Sequence, residues 1–263
     1  MREQRLVFGE VPELYDRVRP GYSGAVVDDV LTFGGLEAAT CRALEVGAGT
    51  GKATVAFASR GVGVHALEPD PAMAAVASRN CRRYPHVEVE ISSFEDWDLR
   101  EGAFDLVFSA QAWHWVSPEV RCTRARAALD AGGSLALLWH RVSWDADDPV
   151  RVELDACYRR FAPELHARQP GFPGHTWSGS EGQAQQELSS CAGFDDVAVH
   201  EHRWTQSLDA AAYLDRLRTQ SDHRLLPAAE LERLLEAVRA VIDARGGAVT
   251  VPHSTLIVLA RRR

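Results

Sequence analysis

Residues 44–52 read Leu-Glu-Val-Gly-Ala-Gly-Thr-Gly-Lys, and glycine at 47, 49 and 51 marks a turn there. The stretch closes an apolar run, Ala43-Leu44-Glu45-Val46, and leads into Ala53-Thr54-Val55-Ala56-Phe57-Ala58, which can start a helix. A strand, a glycine turn and a helix N-terminus in that order gather exposed N–H groups and the positive end of a helix dipole at one place. Such a place suits a small polar ligand.

Two phosphate-binding patterns fail position by position. A dinucleotide fingerprint needs Gly-x-Gly-x-x-Gly; Gly47 and Gly49 fit, but the third position is Lys52. A P-loop needs Gly-x-x-x-x-Gly-Lys-Ser/Thr; Gly51-Lys52 fit, but Val46 and Ala53 stand at the first and last positions. What remains is Glu-x-Gly-x-Gly-Thr-Gly. The plainer alternative is a glycine turn that only closes a strand–helix connection.

The chain has 263 residues, enough for one α/β domain with an elaboration or one large domain. Its net charge is −8 and its one basic block is Arg261-Arg262-Arg263, so no nucleic-acid partner is expected. No run approaches the roughly 20 apolar residues of a membrane span, and Met1-Arg2-Glu3-Gln4-Arg5 is followed by no apolar signal core. Cys41, Cys81, Cys122, Cys157 and Cys191 are scattered and form no Cys-x-x-Cys pair. Reduced thiols in a cytoplasmic protein are the expectation, with no metal site.

Strand-like and helix-like segments alternate through the first 150 residues. Helices are expected at Ala25–Phe33, Ala53–Ser59, Pro71–Asn80 and Pro118–Ala128; strands are expected at Arg42–Val46, Val62–Leu67, Val87–Ile91, Phe104–Phe108 and Ser134–Trp139. Gly132-Gly133 is expected to break the helix over Pro118–Ala128 before the last of these strands. This alternation predicts a parallel sheet with helices on both faces, with ligands at the carboxyl ends of the strands. From 141 to 186 the chain turns proline- and glycine-rich, with one amphipathic helix over Pro149–Ala162. Trp144, Tyr158, Phe161, Phe172 and Trp177 argue against a solvated loop there, and a substrate lid is expected. A strand over Val197–Trp204, helices over Leu208–Ser221 and Ala228–Ala244, and a strand over Ser254–Ala260 complete the pattern. The domain organisation is read as a ligand-binding core with an N-terminal lid helix at 1–140, an inserted lid at 141–190, and a C-terminal completion of the sheet at 191–263.

Further motifs give the glycine turn a context. Glu68 ends the second strand, where a carboxylate can accept hydrogen bonds from two ribose hydroxyls, and Pro69 and Met73 follow. Tyr15-Asp16-Arg17-Val18-Arg19-Pro20-Gly21-Tyr22 lies upstream, and Phe104-Asp105-Leu106-Val107-Phe108-Ser109-Ala110-Gln111-Ala112-Trp113-His114-Trp115 lies downstream. Leu129-Asp130-Ala131-Gly132-Gly133-Ser134-Leu135 follows, with alanine where a proline is usual. Together these resemble class I S-adenosylmethionine-dependent methyltransferases. The branch resembled is that of trans-aconitate methyltransferase-like and ubiquinone/menaquinone methyltransferase-like enzymes. The resemblance is strong over about residues 8–140 and weaker over 252–261.

The resemblance implies a Rossmann-like sheet of seven strands, mostly parallel, with the final strand antiparallel. It also implies S-adenosylmethionine as cofactor and S-adenosylhomocysteine as product. Glu45, Gly47, Gly49 and Gly51 would hold the methionine part. Tyr15 and Arg19 would close over it, Arg19 pairing with its carboxylate. Glu68 and Pro69 would hold the ribose, with Met73 on the adenine. Ser93 and Phe94 stand where the family often has an aspartate for the adenine. Ser109 and Gln111 would offer backbone carbonyls to the ammonium. His114 and His140 are candidate proton acceptors near the predicted rim, His140 where the family usually has asparagine. Tyr22, Trp113, Trp115 and Trp144 are candidate substrate contacts. The expected reaction is O-, N- or C-methylation of a small organic molecule, in secondary metabolism or elsewhere, by a monomer or homodimer. Two alternatives stay open at this point: a protein of this fold that binds the cofactor without methyl transfer, and an NAD-dependent oxidoreductase.

Overall fold

The computed structural model describes residues 8–168 and 180–263. Phe172, His175 and Trp177 of the turn-rich stretch lie outside them. In chain order the elements are α1 (Pro12–Val18), α2 (Gly24–Gly34), β1 (Arg42–Val46), α3 (Lys52–Ala58), β2 (Gly63–Leu67), α4 (Pro71–Cys81) and β3 (Val87–Glu90). There follow β4 (Phe104–Ala110), α5 (Arg121–Ala128), β5 (Leu129–Val142), α6 (Pro149–Phe161), α7 (Pro163–Arg168) and α8 (Ser180–Ser190). The last are β6 (Phe194–Asp209), α9 (Ala210–Arg218), α10 (Ser221–Arg224), α11 (Ala228–Asp243) and β7 (Ala248–Arg262).

The strands form one seven-stranded mixed sheet in the order β3-β2-β1-β4-β5-β7-β6, the Rossmann-like α/β fold expected from the sequence. β1 pairs in parallel with β2 and β4, β2 with β3, and β4 with β5. The order reverses between β1 and β4, the switch point where sheets of this kind hold ligands. Side chains alternate across the sheet, so each central strand feeds two cores. Leu44, Val46, Val107, Leu135 and Leu137 enter one; Ala43, Leu106, Phe108, Ala136 and Leu138 enter the other. Each fully buried Leu or Phe contributes about 2 kcal/mol.

Helix starts are set locally. The Asp70 carboxylate accepts from the N–H groups of Ala72 and Met73 with Pro71 at the first turn, and Asp148 does the same for Val150 and Arg151 ahead of α6. Asp209 caps α9 by accepting from Ala212 N–H, so the helix expected from Leu208 starts later and Leu208 belongs to β6.

At Gly132-Gly133 the expected break becomes an excursion inside a strand. Phe104 pairs with Leu129 and Leu106 with Ser134, so residues 130–133 bulge out and β5 resumes. Gly132 takes φ +77°, and a Cβ on Gly133 would press on the carbonyls of Asp130 and Asp105 at 3.0 and 3.1 Å.

The chain divides into two compact units, one of Met1–Arg19, His140–Ser178 and Arg203–Ser254, the other of Pro20–Trp139, Gly179–His202 and Thr255–Arg263. The second holds both sheet cores. The first has its own core, in which Trp144, Leu154, Tyr158, Leu214, Leu217, Leu235 and Val238 pack together. No helix of the described residues is long and apolar enough to cross a membrane.

Candidate active site

The glycine turn sits at the β1 carboxyl end, held by the neighbouring strand. Gly47 and Ala48 N–H both donate to the Leu67 carbonyl, at 3.0 and 2.9 Å, and Gly51 N–H donates to Ala48 O at 2.9 Å. Gly47, Gly49 and Gly51 take φ of +74°, +59° and +82°, the left-handed region that side chains disfavour. A Cβ on Gly47 would overlap that of Ala112, in the loop after β4. At Gly49 a Cβ would meet only Met73 Cε, at 3.6 Å, which places Met73 beside the turn.

Glu68 ties this turn to the end of β2. Its Oε2 accepts from Gly49 N–H at 2.7 Å and its Oε1 from Asp70 N–H at 3.0 Å. Each carboxylate oxygen keeps a further lone pair, so two hydroxyls can still be received. Burial raises the Glu68 pKa against the pull of those two bonds. Pro69 beside it is exposed. Glu45 is fully buried behind the turn, and its Oε2 accepts from Thr54 Oγ1 at 2.5 Å. Burial, assisted by the charge of Glu68, pushes Glu45 up to about 8 against the Thr54 bond. Glu45 Oε1 and Thr50 Oγ1 are buried at the turn without a hydrogen-bond partner among the described residues. Left-handed glycines, orphaned polar atoms and a strand-end acid fit an S-adenosylmethionine-type cofactor, with its amino acid at the turn and its sugar at Glu68.

At the end of β4, Ser109 Oγ donates to the Val46 carbonyl at 2.8 Å, so this hydroxyl locks β4 to β1. Gln111 has φ +61°, uncommon for a residue with a side chain, and its N–H donates to Leu138 O at 2.9 Å. Backbone strain of this kind costs about 1–3 kcal/mol and concentrates at functional sites. A single 3-10 turn, Trp113–Trp115, carries the histidine and both tryptophans. Trp113 is buried under the guanidinium of Arg121, 5.6 Å from the ring centre, and its indole N–H has no hydrogen-bond partner among the described residues. His114 tilts against Trp115 with ring centres 4.7 Å apart. Burial, then the charge of Arg121, holds the His114 pKa at about 4.

Ser93 and Phe94 serve local structure after β3. Ser93 Oγ donates to Asp96 Oδ2 at 2.7 Å and accepts from Asp96 N–H, while Phe94 is buried in the core beneath Arg124. Tyr22 packs half-buried on the other core.

Tyr15, Arg19, His140 and Trp144 belong to the other compact unit. The Arg19 guanidinium lies 5.2 Å from the centre of the Tyr15 ring and donates from Nε and Nη2 to Thr219 Oγ1 and O, both at 2.9 Å. Burial lowers its pKa, opposed by Tyr15 and Asp222. His140 meets the edge of Trp204, with ring centres 5.4 Å apart. Trp144 is a core residue whose indole N–H has no hydrogen-bond partner among the described residues. Among the described residues no group of three His, Cys, Asp or Glu could hold a metal ion.

Sequence reasoning missed Thr54, whose helical position carried no signal, and Asp70, whose place before Pro71 was a readable cap. It also missed Arg216, Trp204 and His253, which come together only through tertiary contacts.

The low His114 pKa has a consequence for stability. Between pH 6.5 and about 4 the unfolded chain binds a proton at this histidine that the folded chain refuses, so stability falls as pH drops through that window. H114Q is expected to lose less stability than the wild type on acidification from pH 6.5 to about 4, by urea titration at each pH. Parallel acid limbs in the two proteins would remove the assigned burial effect.

Residues 43–133 match the profile of a methyltransferase domain. The methyltransferase Rv3342 of Mycobacterium tuberculosis is 28% identical over 98% of this chain and 97% of its own length. The methyltransferase-like protein C25B8.10 of Schizosaccharomyces pombe is 30% identical over 61% of this chain and 63% of its own length. Among solved structures, one described as a type II methyltransferase from Anaeromyxobacter dehalogenans superposes with a TM-score of 0.62 at 24% identity, covering 93% of this chain and 97% of that one. Phosphoethanolamine N-methyltransferase 2 of Haemonchus contortus, in complex with S-adenosyl-L-methionine, superposes with a TM-score of 0.55 at 17% identity, covering 99% of this chain and 57% of that one. The glycine turn, the strand-end acid, the sheet order and these likenesses agree: the chain is an S-adenosylmethionine-dependent methyltransferase of the class I fold, with its methyltransferase domain at residues 43–133.

Proposed function

We propose that the chain methylates a small organic molecule on O, N or C. The observation that carries this reading is the 2.7 Å bond from Gly49 N–H to Glu68, which joins the amino-acid turn and the sugar-binding acid in one site. The cofactor, when bound, supplies a sulfonium methyl that is already electrophilic, leaving the protein to bind, orient and exclude water.

In this reading the backbone of Gly47 and Gly49 lies against the methionine part. Glu68 receives the ribose hydroxyls on its remaining lone pairs, and Met73 covers the adenine side. The carbonyls at Ser109 and Gln111 take the ammonium, Gln111 being held for this by its left-handed backbone. Pro69 shapes the nucleoside wall. Tyr22 and Trp115, both half-buried, are substrate-side surfaces, and the buried Trp113 backs the turn that carries Trp115. His114, with a pKa of about 4, is neutral at physiological pH but a weak base, so its role is to position by hydrogen bonding.

The test is incubation of purified protein with S-adenosylmethionine and a library of small acids, phenols, amines and enols, followed by mass spectrometry. The expected result is one added methyl group with stoichiometric S-adenosylhomocysteine. Tight S-adenosylhomocysteine binding with no turnover across the library would instead favour cofactor binding without transfer.

A further inference from the structure

Two cysteines far apart in the chain meet in the fold. Cys122 lies in α5 and Cys191 directly follows α8, both in the compact unit that holds the sheet cores. Cys122 is buried and Cys191 half-buried, and Cys191 packs against the core cluster that contains Cys122. The two thiols are in hydrogen-bond contact. A carboxylate joins them: Cys122 Sγ donates to Glu187 Oε1 at 3.2 Å. Glu187 stands one helical turn before Cys191, whose N–H donates to Glu187 O at 2.8 Å, and residues four apart share a helix face. Cys41 and Cys81 are buried, and Cys157 belongs to the other unit.

The surroundings give the two thiols different parts. Cys191 is the one that solvent reaches. Cys122 is held protonated, because burial and then the bond to Glu187 and its charge push its pKa up. An oxidant that reacts with a thiolate therefore meets Cys191 first, and a second thiol stands beside it to resolve the product. Glu187 is itself fixed by Arg121, whose Nε and Nη2 donate to its two oxygens at 2.8 and 2.6 Å. Nη1 of the same arginine donates to Trp113 O at 3.2 Å, so the thiol pair adjoins the turn that carries Trp113 and Trp115.

We propose that Cys122 and Cys191 form a dithiol that a hydroperoxide oxidises to a disulfide, with Cys191 attacking first, Cys122 resolving and Glu187 moving the proton. The site lies outside methyl transfer and does not rest on that reading. With hydrogen peroxide, the Cys191 sulfur attacks one oxygen, the O–O bond breaks, and a sulfenic acid forms; the thiol proton leaves with the expelled hydroxide as water. The Cys122 sulfur then attacks the sulfenic sulfur, the S–O bond breaks and the S–S bond forms. The Cys122 proton passes through the Glu187 carboxylate to the departing hydroxide, giving a second water. Two thiols lose two electrons and the peroxide gains them. A dithiol reductant reverses the closure by thiol–disulfide exchange.

The test treats the purified full chain with hydrogen peroxide, blocks the remaining thiols with N-ethylmaleimide under denaturing conditions, and maps the peptides by mass spectrometry. The wild type is expected to carry a bridge between Cys122 and Cys191 that dithiothreitol reopens. C122S is expected to stop at a Cys191 sulfenic acid that dimedone captures. C191S is expected to form no bridge and to keep Cys122 as a thiol. E187Q is expected to close about 100-fold more slowly and to hold the dimedone-reactive state longer, the loss of a positioned base. The wild type alone decides the bridge, whether or not E187Q folds. The assignment is overturned if the wild type keeps both thiols, if Cys191 bridges to another cysteine or another molecule, or if Cys191 passes to sulfinic acid while Cys122 stays free. Oxidation of Cys122 in C191S, or an unreactive Cys191 in C122S, would overturn the order of attack. Closure of a folded E187Q at the wild-type rate would remove Glu187 from the step.

Discussion

Gly47→Ala is expected to abolish measurable S-adenosylhomocysteine binding and to destabilise the fold by about 3 kcal/mol, the sum of a left-handed backbone penalty and a forced overlap in a packed turn. Both costs are visible at this position. The φ of +74° suits glycine, and the new methyl would overlap the Ala112 side chain across the switch point. Relief would need β1 and the loop after β4 to separate, and Gly47 N–H is anchored to Leu67 O. Gly49→Ala separates the two effects. Its Cβ meets only Met73 Cε at 3.6 Å, so its folding cost is the backbone term, about 1 kcal/mol. Gly49→Val should add to this a branched side chain on the cofactor face and lose the ligand. Denaturant titration and calorimetric binding on the three variants give the comparison. Wild-type affinity in G47A would show that the cofactor does not depend on this turn.

Glu68→Ala is expected to lower cofactor affinity at least about 100-fold and stability by roughly 2–4 kcal/mol, because two backbone donors lose their acceptor in a buried place. The carboxylate bridges Gly49 N–H and Asp70 N–H, so the substitution loosens the glycine turn and the start of α4 together. Glu68→Gln keeps one carbonyl oxygen and should fall between alanine and wild type in both measurements. Should the alanine variant lose stability but hold S-adenosylhomocysteine as tightly as before, Glu68 is a brace for the turn and the ribose rests elsewhere.

Much of this site was legible along the chain. The three glycines announced a turn between β1 and α3, and each has the left-handed backbone that their presence implied. Glu68 was placed at the end of β2, and the structure adds that its oxygens also brace the turn. Short apolar runs gave β1, β2 and β4 nearly to the residue, since a strand buried on both faces leaves such a run nearly unbroken. Gly132-Gly133 was read as an end because glycine pairs mark turns, yet β4 draws the chain back into register on the far side. The helix expected over Leu208–Ser221 was cut at both ends by Asp209 and by the turn before α10, where capping outweighed the apolar spacing.

The sequence by itself determined the strand–turn–helix unit, the chemistry of its ligand and the order of the elements, because those depend on spacing and backbone freedom within a few residues. Only the tertiary structure decided which charges lack partners and how buried groups titrate. His114 and His253 are brought to about 4 and about 3, and Glu45 to about 8, by the water that folding removes around them. Arg216 meets His253 from 37 positions away. Desolvation and long-range pairing are properties of a closed interior, and no local pattern of residues encodes them.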